Sequence, residues 1–468
     1  MKIKQSPISL LTSLATLLLA TLVVCIPQIL IASPLLPNVS PKMEEPEFWV
    51  KKIQNPGHLL LTPDNIQSIN EENLKKQDLF LCRVKDLKEE WTREEILTLL
   101  GEDWEGFGRT REVRYGRNGI PLDESFWNGL KNNLNQVSLK ERSRMLFGLI
   151  VKETSIRVFP TDELSMSTPT DDEFDMFQHS SISPGAPIGI YLFSKDNLWA
   201  YVQTSFIRGW VRLTDLAIAK GKSELIDYEE TKNRLVMTGN SVNVFSDPSL
   251  QQLAFPAHMG ISFPVTHLPR QTGESNSNYT IKIPLRESNG ALTFQSGYIP
   301  VNEDVHTGFL PYTQENIARQ AFKMLHQPYS WGERSYGRDC SRFIMDLFAT
   351  FGILMPRNSK PQAQVGISLG QAERKTLKEK REILGRAIPL ATTLRLPGHI
   401  MLYLGKDHGN HYVIHSIWGI ERHRRSGTVF DKIGKVAVSD LSLGRSGPHG
   451  SLLHRITDIR FIGIGKVP

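Results

Sequence analysis

The amino-acid sequence predicts an α+β fold in which two small β-barrels precede a domain of mixed helices and strands. Short apolar runs between turn-forming residues, such as Ile188–Phe193 and Trp199–Gln203, are typical of strands in small barrels. After residue 310 the pattern changes to amphipathic helices followed by apolar strands. The 468 residues are 40% hydrophobic and 22% charged, which is ordinary globular usage and excludes collagen-like, coiled-coil and wholly disordered chains.

The amino terminus has the pattern of an export signal. Lys2 and Lys4 precede an uncharged apolar stretch over residues 8–31, which ends at the small residues before Pro34. The stretch is long enough for an uncleaved membrane anchor as well. We therefore expect residues 1–33 to be a signal peptide or a membrane anchor, and the rest of the chain to lie in the periplasm or cell envelope.

Four further segments follow in the predicted order. A polar, helical amino-terminal domain is indicated by the capping-box spacing of Thr92 and Glu95. The second barrel repeats the pattern of the first more faintly, with Ser241–Phe245 and Gly297–Val301 as its clearest strands. The expected bounds are 40–155 for the helical domain, 156–225 and 226–308 for the barrels, and 311–468 for the mixed domain.

Charge and cysteine content narrow the function. The net charge of +6 comes from 55 basic and 49 acidic residues, an excess too small to indicate nucleic-acid binding. The three cysteines, Cys25, Cys82 and Cys340, are too few for a disulfide framework and form no CxxC metal motif. We expect no cofactor and no metal, which leaves a cysteine available for chemistry.

Cys340 is predicted to stand in the first turn of a buried helix. Apolar residues recur after it at helical spacing, namely Phe343, Ile344, Leu347, Phe348 and Phe351. An earlier amphipathic helix is expected to begin after the capping residue Thr313. The unpaired N–H groups and the dipole at a helix amino terminus favour a thiolate over a thiol. The sequence therefore predicts an ionised, nucleophilic Cys340.

Two histidines are candidates for the base and its partner. His399 follows a tight turn and is the first residue of a predicted strand, and His415 lies on the next strand. Adjacent antiparallel strands place both side chains on one face, against which the Cys340 helix packs. A nucleophile, a base and an orienting group suffice for acyl transfer. We expect His408 and His411, in contrast, to be solvated turn residues and not metal ligands.

Several motifs resemble known families. Trp199–Gln203 with Arg208–Val211 is similar to a bacterial SH3-type module. From residue 311 to 465 the chain resembles the NlpC/P60 family of papain-like cysteine peptidases, and the preceding segments resemble its multidomain, SH3-bearing subgroup. The residues that carry the second resemblance are Asp339-Cys340-Ser341, Gly398-His399-Ile400, His415, Tyr329-Ser330-Trp331-Gly332 and Met355-Pro356-Arg357-Asn358-Ser359.

The resemblance implies a cell-wall endopeptidase. Members of the subgroup cleave the γ-D-glutamyl-diamino acid bond of peptidoglycan stem peptides or muropeptides, and a neighbouring barrel narrows their site. It implies that Cys340 attacks the carbonyl, that His399 acts as base and then acid, and that His415 orients His399. It further implies that Tyr329 donates to the oxyanion, and that the substrate is held at the positions of Asp339, Ser341, Asn358 and Ser359.

Three positions depart from the family pattern. Arg342 and Glu333 each replace a glycine, and Asn358 replaces an aspartate that would contact a substrate ammonium. Glu333 adds bulk, whereas Arg342 is compatible with a helix. The alternative hypothesis is a non-catalytic wall-binding SH3 protein, or an amidase or acyltransferase with the same fold.

Overall fold

The computed structural model describes residues 35–269, 278–334 and 337–465. The predicted signal peptide or anchor over residues 1–33, with its apolar stretch 8–31, lies outside the described residues. Among the residues that are described, none of the helices combines the length and the apolar character that a membrane span requires.

The amino-terminal part alternates short helices with two isolated strand pairings. Thr92 begins the longest helix as predicted: its hydroxyl accepts from the Glu95 N–H at 3.2 Å, and its own N–H donates to the Glu95 carboxylate at 2.8 Å. The elements are α1 (Pro46–Val50), β1 (Leu59–Leu61), α2 (Pro63–Leu74), β2 (Glu90–Thr92), α3 (Arg93–Phe107), α4 (Glu124–Asn133) and β3 (Arg142–Arg144).

A seven-stranded antiparallel sheet forms the first β unit. Its strands are β4 (Leu146–Ile150), β5 (Thr154–Arg157), β6 (Gln178–Ile182), β7 (Pro187–Phe193), β8 (Trp199–Gln203), β9 (Arg208–Arg212) and β10 (Leu216–Ile218). They pair in the order β10-β4-β7-β8-β9-β5-β6. One sheet face encloses an aliphatic core around Ile156 and Ile190, and α5 (Lys222–Glu229) follows.

A second seven-stranded antiparallel sheet forms the second β unit. Its strands are β11 (Arg234–Met237), β12 (Ser241–Phe245), β13 (Leu253–His258), β14 (Ser262–His267), β15 (Tyr279–Arg286), β16 (Leu292–Ile299) and β17 (Val305–Thr307). The order is β13-β12-β16-β15-β14-β11-β17. Apolar residues alternate with exposed ones along β12, where Val242 and Val244 are buried and Ser241 and Asn243 are exposed.

The carboxy-terminal domain packs helices on one antiparallel sheet. Its elements are β18 (Tyr312–Thr313), α6 (Gln314–Lys323), α7 (Cys340–Ala349), α8 (Ser359–Gln362), β19 (Ile367–Gln371), α9 (Leu377–Leu384), β20 (Thr392–Leu396), β21 (His399–Asp407), β22 (Asn410–Arg424), β23 (Gly427–Asp440), α10 (Leu452–Arg455) and β24 (Asp458–Phe461). Six strands pair in the order β19-β24-β20-β21-β22-β23. Helix α7 packs against β21 and β22. The predicted α+β class, with β-rich units ahead of this domain, is confirmed.

Hydrophobic residues of the amino-terminal part divide between two cores. Those up to Leu79 pack with the carboxy-terminal domain, whereas those from Val84 onward pack with the first β unit. Trp49 is 1% exposed and lies 5.4 Å from the ring of Tyr412 on β22. Strand β1 pairs with β18. The segment before residue 80 is therefore part of the carboxy-terminal domain's packing.

We predict that Trp49→Ala destabilises the carboxy-terminal domain. Removing a fully buried Trp side chain leaves a cavity and lowers the free energy of unfolding by about 3 to 5 kcal/mol. Urea denaturation, followed by far-UV circular dichroism, measures the shift of the midpoint. The control is Phe80→Ala, because Phe80 is 66% exposed. Equal midpoints for the two variants would contradict the packing role of Trp49.

Candidate active site

Cys340 is the first residue of α7, as the sequence predicts. Asp339 caps the helix, and its carboxylate accepts from the Arg342 N–H at 2.8 Å. The Cys340 thiol is 7% exposed and lies 3.9 Å from the carbonyl oxygen of Gly398. The sulfur is therefore held against the backbone immediately beside His399.

His399 and His415 face each other across neighbouring strands. Strand β21 begins at His399 and pairs antiparallel with β22, which carries His415. His399 Nε2 lies 2.7 Å from His415 Nδ1, and His415 Nε2 lies 3.0 Å from the Ser439 hydroxyl. When His399 donates from Nε2 and His415 donates from Nε2, both hydrogen bonds are satisfied by neutral rings. This arrangement leaves His399 Nδ1 as an acceptor.

The environment keeps both the thiol and the imidazoles neutral. Burial, together with the Asp339 carboxylate, raises the pKa of Cys340 to about 12, although nearby backbone N–H groups oppose the shift. Burial lowers the pKa of His399 to about 4 and the pKa of His415 well below its usual value. The helix terminus favours the predicted thiolate, whereas desolvation of the sulfur and the neighbouring carboxylate oppose it.

Tyr329 pairs with Arg338, two residues before Cys340. Its backbone N–H donates to the Gly434 carbonyl at 2.8 Å, and its ring packs 5.6 Å from the ring of Trp418. Burial and the proximity of Asp339 and Cys340 raise the pKa of the Tyr329 phenol above its usual range. The hydroxyl therefore keeps its proton and can act as a donor.

The predicted substrate-binding residues fall into two groups. Asp339 and Ser341 flank the nucleophile, but four donors already reach the Asp339 carboxylate: the Arg342 N–H, the Ser341 hydroxyl and two nitrogens of Arg357. Asn358 and Ser359 stand instead at the start of α8, where Asn358 is exposed and Ser359 is half-buried.

Two departures from the family pattern are partners of each other. Arg342 and Glu333 form a buried ion pair with a closest distance of 3.3 Å. Arg357 bonds the other oxygen of Glu333 and also bonds Asp339 at 2.7 Å. Sequence reasoning missed this network, although an arginine within an otherwise apolar helix, at position 342, is a signal for a buried acidic partner.

The network also joins the carboxy-terminal domain to both β units. Glu333 accepts from the Ser180 hydroxyl at 2.7 Å and from the Ser181 N–H at 3.0 Å, both on β6. Arg338 bonds Asp346 of α7 at 2.7 Å and Asn240 at 2.5 Å, just before β12. These polar contacts therefore connect the residues around α7 to both β units.

A cavity of about 390 Å³ adjoins Tyr329. One wall comes from the first β unit, where the ring of Phe174 packs 5.3 Å from both Trp331 and Trp418. The residues that line it are Asp172, Glu173, Phe174, Pro328, Tyr329, Ser330, Trp331, Arg334, Trp418, Lys432 and Gly434. The cavity is thus a cleft between the first β unit and the carboxy-terminal domain.

His408 and His411, at the far end of β21 from His399, differ in their environment. His408 is exposed in the turn, as predicted. The prediction for His411 is wrong: it lies on β22, is 8% exposed, and its Nδ1 is 2.8 Å from the Tyr403 hydroxyl. Burial lowers the pKa of His411 to about 4. Within the described residues, no cluster of His, Cys, Asp and Glu side chains is suited to hold a metal ion.

Comparison with known proteins confirms the two resemblances. Residues 326–432 match the NlpC/P60 family, and residues 165–212 match the SH3 domain of SH3b1 type. The chain therefore contains an NlpC/P60 domain, with an SH3 domain ahead of it. No curated protein matches the sequence.

Two solved structures align with most of the chain. An NlpC/P60 endopeptidase from Photobacterium damselae subsp. piscicida is 18% identical, with a TM-score of 0.70, over 88% of this chain and 96% of that one. An NlpC/P60 family protein from Bacillus cereus ATCC 10987 is 15% identical, with a TM-score of 0.42, over 69% of this chain and 100% of that one. The first comparison shows that this chain and the Photobacterium protein share a multidomain fold.

We predict that Arg357→Leu destabilises the protein strongly. It leaves the buried carboxylates of Glu333 and Asp339 without their common partner, and removing one member of a buried ion pair costs about 3 to 5 kcal/mol. The double variant Arg357→Leu/Glu333→Gln should recover part of the loss, because one unpaired carboxylate is gone. Thermal denaturation measures both. Arg424→Leu, at an exposed position, is the control; an equal change in melting temperature for Arg424→Leu and Arg357→Leu would contradict the role of the network.

We predict that Cys340 reacts with iodoacetamide at a rate that still rises with pH at pH 10, because its pKa is raised to about 12. Asp339→Asn removes the neighbouring negative charge and should move the rise to lower pH. Peptide mass spectrometry separates Cys340 from Cys82, whose pKa is also raised, to about 11. A rate that is level from pH 6 to 9 would show a resting thiolate and contradict the prediction.

Proposed function

We propose that the NlpC/P60 domain of this chain is a cysteine peptidase that hydrolyses stem peptides of peptidoglycan, or muropeptides, at the γ-D-glutamyl-diamino acid bond. One observation carries the proposal. Cys340 from a helix terminus lies against the Gly398 carbonyl, and His399 lies 2.7 Å from His415 on the adjacent strand. These contacts support a nucleophile, a base and an orienting group contributed by three separate elements.

In this proposal proton transfer accompanies attack, because burial raises the pKa of Cys340 and lowers the pKa of His399. As the Cys340 sulfur bonds to the substrate carbonyl carbon, its proton passes to His399 Nδ1. The His399 ring becomes an imidazolium whose Nε2–H is held by His415, and the Ser439 hydroxyl in turn holds His415. His399 then protonates the amine as the C–N bond breaks. Water, deprotonated by His399, hydrolyses the thioester and restores the thiol.

We assign two donors to the oxyanion in this proposal. Cys340 is the first helical residue, so its backbone N–H has no acceptor within the helix. The second proposed donor is the hydroxyl of Tyr329, whose pKa is raised by burial. Fixed donors of this kind stabilise the negative charge that develops on the carbonyl oxygen.

The cleft supports a short peptide as the substrate. Its far wall is built by residues 172–174 of the first β unit, which meet Trp331 and Trp418 of the NlpC/P60 domain. The identity of the bond rests on the family resemblance. Asp339, whose carboxylate already accepts four hydrogen bonds, serves in this proposal to cap α7 and to pair with Arg357.

The test uses purified protein and the tripeptide L-Ala-γ-D-Glu-meso-diaminopimelate, with dipeptide release followed by mass spectrometry. Cys340→Ala should abolish release. His415→Ala should lower kcat by roughly 10² to 10⁴ by leaving His399 unoriented, whereas His408→Ala, at an exposed turn, should match the wild type. Cleavage by Cys340→Ala would remove the proposed mechanism. Binding to isolated cell walls without any cleavage under reducing conditions would instead favour a non-catalytic wall-binding protein.

A further inference from the structure

The cleft beside Tyr329 carries charges of opposite sign on its two walls. The first β unit contributes the acids Asp172 and Glu173, and the NlpC/P60 domain contributes the cations Arg334 and Lys432. Trp331 and Trp418 form an aromatic wall next to the cations. The cationic groups thus lie on the same domain as the reacting residues.

Arg334 is the cation with the fewest partners. Its guanidinium donates to the backbone carbonyl of Asp172 at 2.5 Å, and it forms no ion pair within the described part of the chain. It is half-buried at the cleft. A planar guanidinium has five donors in a fixed fork that matches a carboxylate, and a ligand carboxylate can use donors of Arg334 that no ion pair among the described residues uses.

Lys432 supplies a second positive charge to the same cleft. Its ammonium lies 4.1 Å from the centre of the Trp418 ring and 2.5 Å from the Glu173 carboxylate. Lys432 and Glu173 are 54% and 42% exposed, so the pair is open to solvent. An exposed pair contributes little stability, and a ligand carboxylate can therefore replace Glu173 as the partner of Lys432 at small cost.

We propose that Arg334 and Lys432 form a subsite for a free carboxylate of the peptide substrate, next to the bond that is cleaved. Tyr329 lies on the wall of this cleft and pairs with Arg338, two residues before Cys340, which places the subsite on the same side of the domain as the start of α7. The inference rests on the proposed function and deepens it: the substrate class is an anionic stem peptide, and its amidated form is discriminated against.

Three carboxylates of the stem tripeptide have this chemistry, namely the α-carboxylate of D-glutamate and the two carboxylates of diaminopimelate. Three peptides separate the glutamate group from the diaminopimelate groups: L-Ala-γ-D-Glu-meso-diaminopimelate, its glutamate α-amide, and its diaminopimelate diamide. We expect the wild type to lose at least tenfold in kcat/KM on one of the two amides, chiefly through KM. The amide with the lower kcat/KM identifies the residue whose carboxylate occupies the subsite.

The variants assign the discrimination to the cleft. Arg334→Gln should remove most of the preference for the free carboxylate, and Lys432→Met should remove part of it. Glu173→Gln frees Lys432 and should increase the preference. Arg424→Gln is the matched control, because Arg424 is an exposed arginine of the same domain outside the cleft.

Binding separates this inference from the proposed function. In the Cys340→Ala protein, titration calorimetry with the same three peptides measures the preference without catalysis. The wild type could cleave none of the peptides while the Cys340→Ala protein still prefers one free carboxylate by tenfold. That result would contradict the proposed peptidase function and support the subsite. Equal affinity for all three peptides, or a preference that survives Arg334→Gln unchanged, would overturn the subsite.

Discussion

The structure depends on one arginine shared between two buried carboxylates. Arg357 is 2% exposed and bonds both Glu333 and Asp339. Taking an ion out of water costs several kcal/mol, so such a group persists only where partners surround it. Around Arg357 the count of charges balances, with the acids Glu333, Asp339 and Asp346 facing the arginines Arg338, Arg342 and Arg357.

The same cluster of buried charges connects the two β units to the candidate reacting groups. Glu333 reaches the first β unit through Ser180, and Arg338 reaches the second through Asn240. The same cluster holds Asp339 at the amino end of α7, directly before the nucleophile. One set of contacts therefore fixes the position of the Cys340 helix and its orientation relative to the two β units. A cleft formed between domains keeps its shape only when the domains are fixed in this way.

Electrostatics at the nucleophile follow from the same geometry. The helix terminus favours the thiolate, but the Asp339 carboxylate and the loss of water favour the thiol, and they prevail. His399 and His415 are neutral for the same reason, because burial disfavours the charged imidazole. In the proposed mechanism, charge separation therefore waits for the substrate, and the oxyanion and the imidazolium form together.

The sequence by itself determined the local elements and the candidates for chemistry. The spacing of Thr92 and Glu95 specified a helix start, the apolar face after Cys340 specified a buried helix, and the residues around His399 specified a strand start, since caps, turns and periodicity are local. Short motifs in the sequence also indicated a resemblance to the NlpC/P60 family. Tertiary structure decided what depends on distant residues: His411 became buried against Tyr403, and the amino-terminal segment divided between two cores.

The hydrogen bonds of Glu333 with Ser180 and Ser181 were also a tertiary outcome. These residues of β6 lie 153 and 152 residues from Glu333 along the chain. The protonation state of Cys340 depended likewise on folding. Propensity and spacing describe the few residues nearest in sequence, whereas desolvation and ion pairing are set by whatever the fold brings into contact.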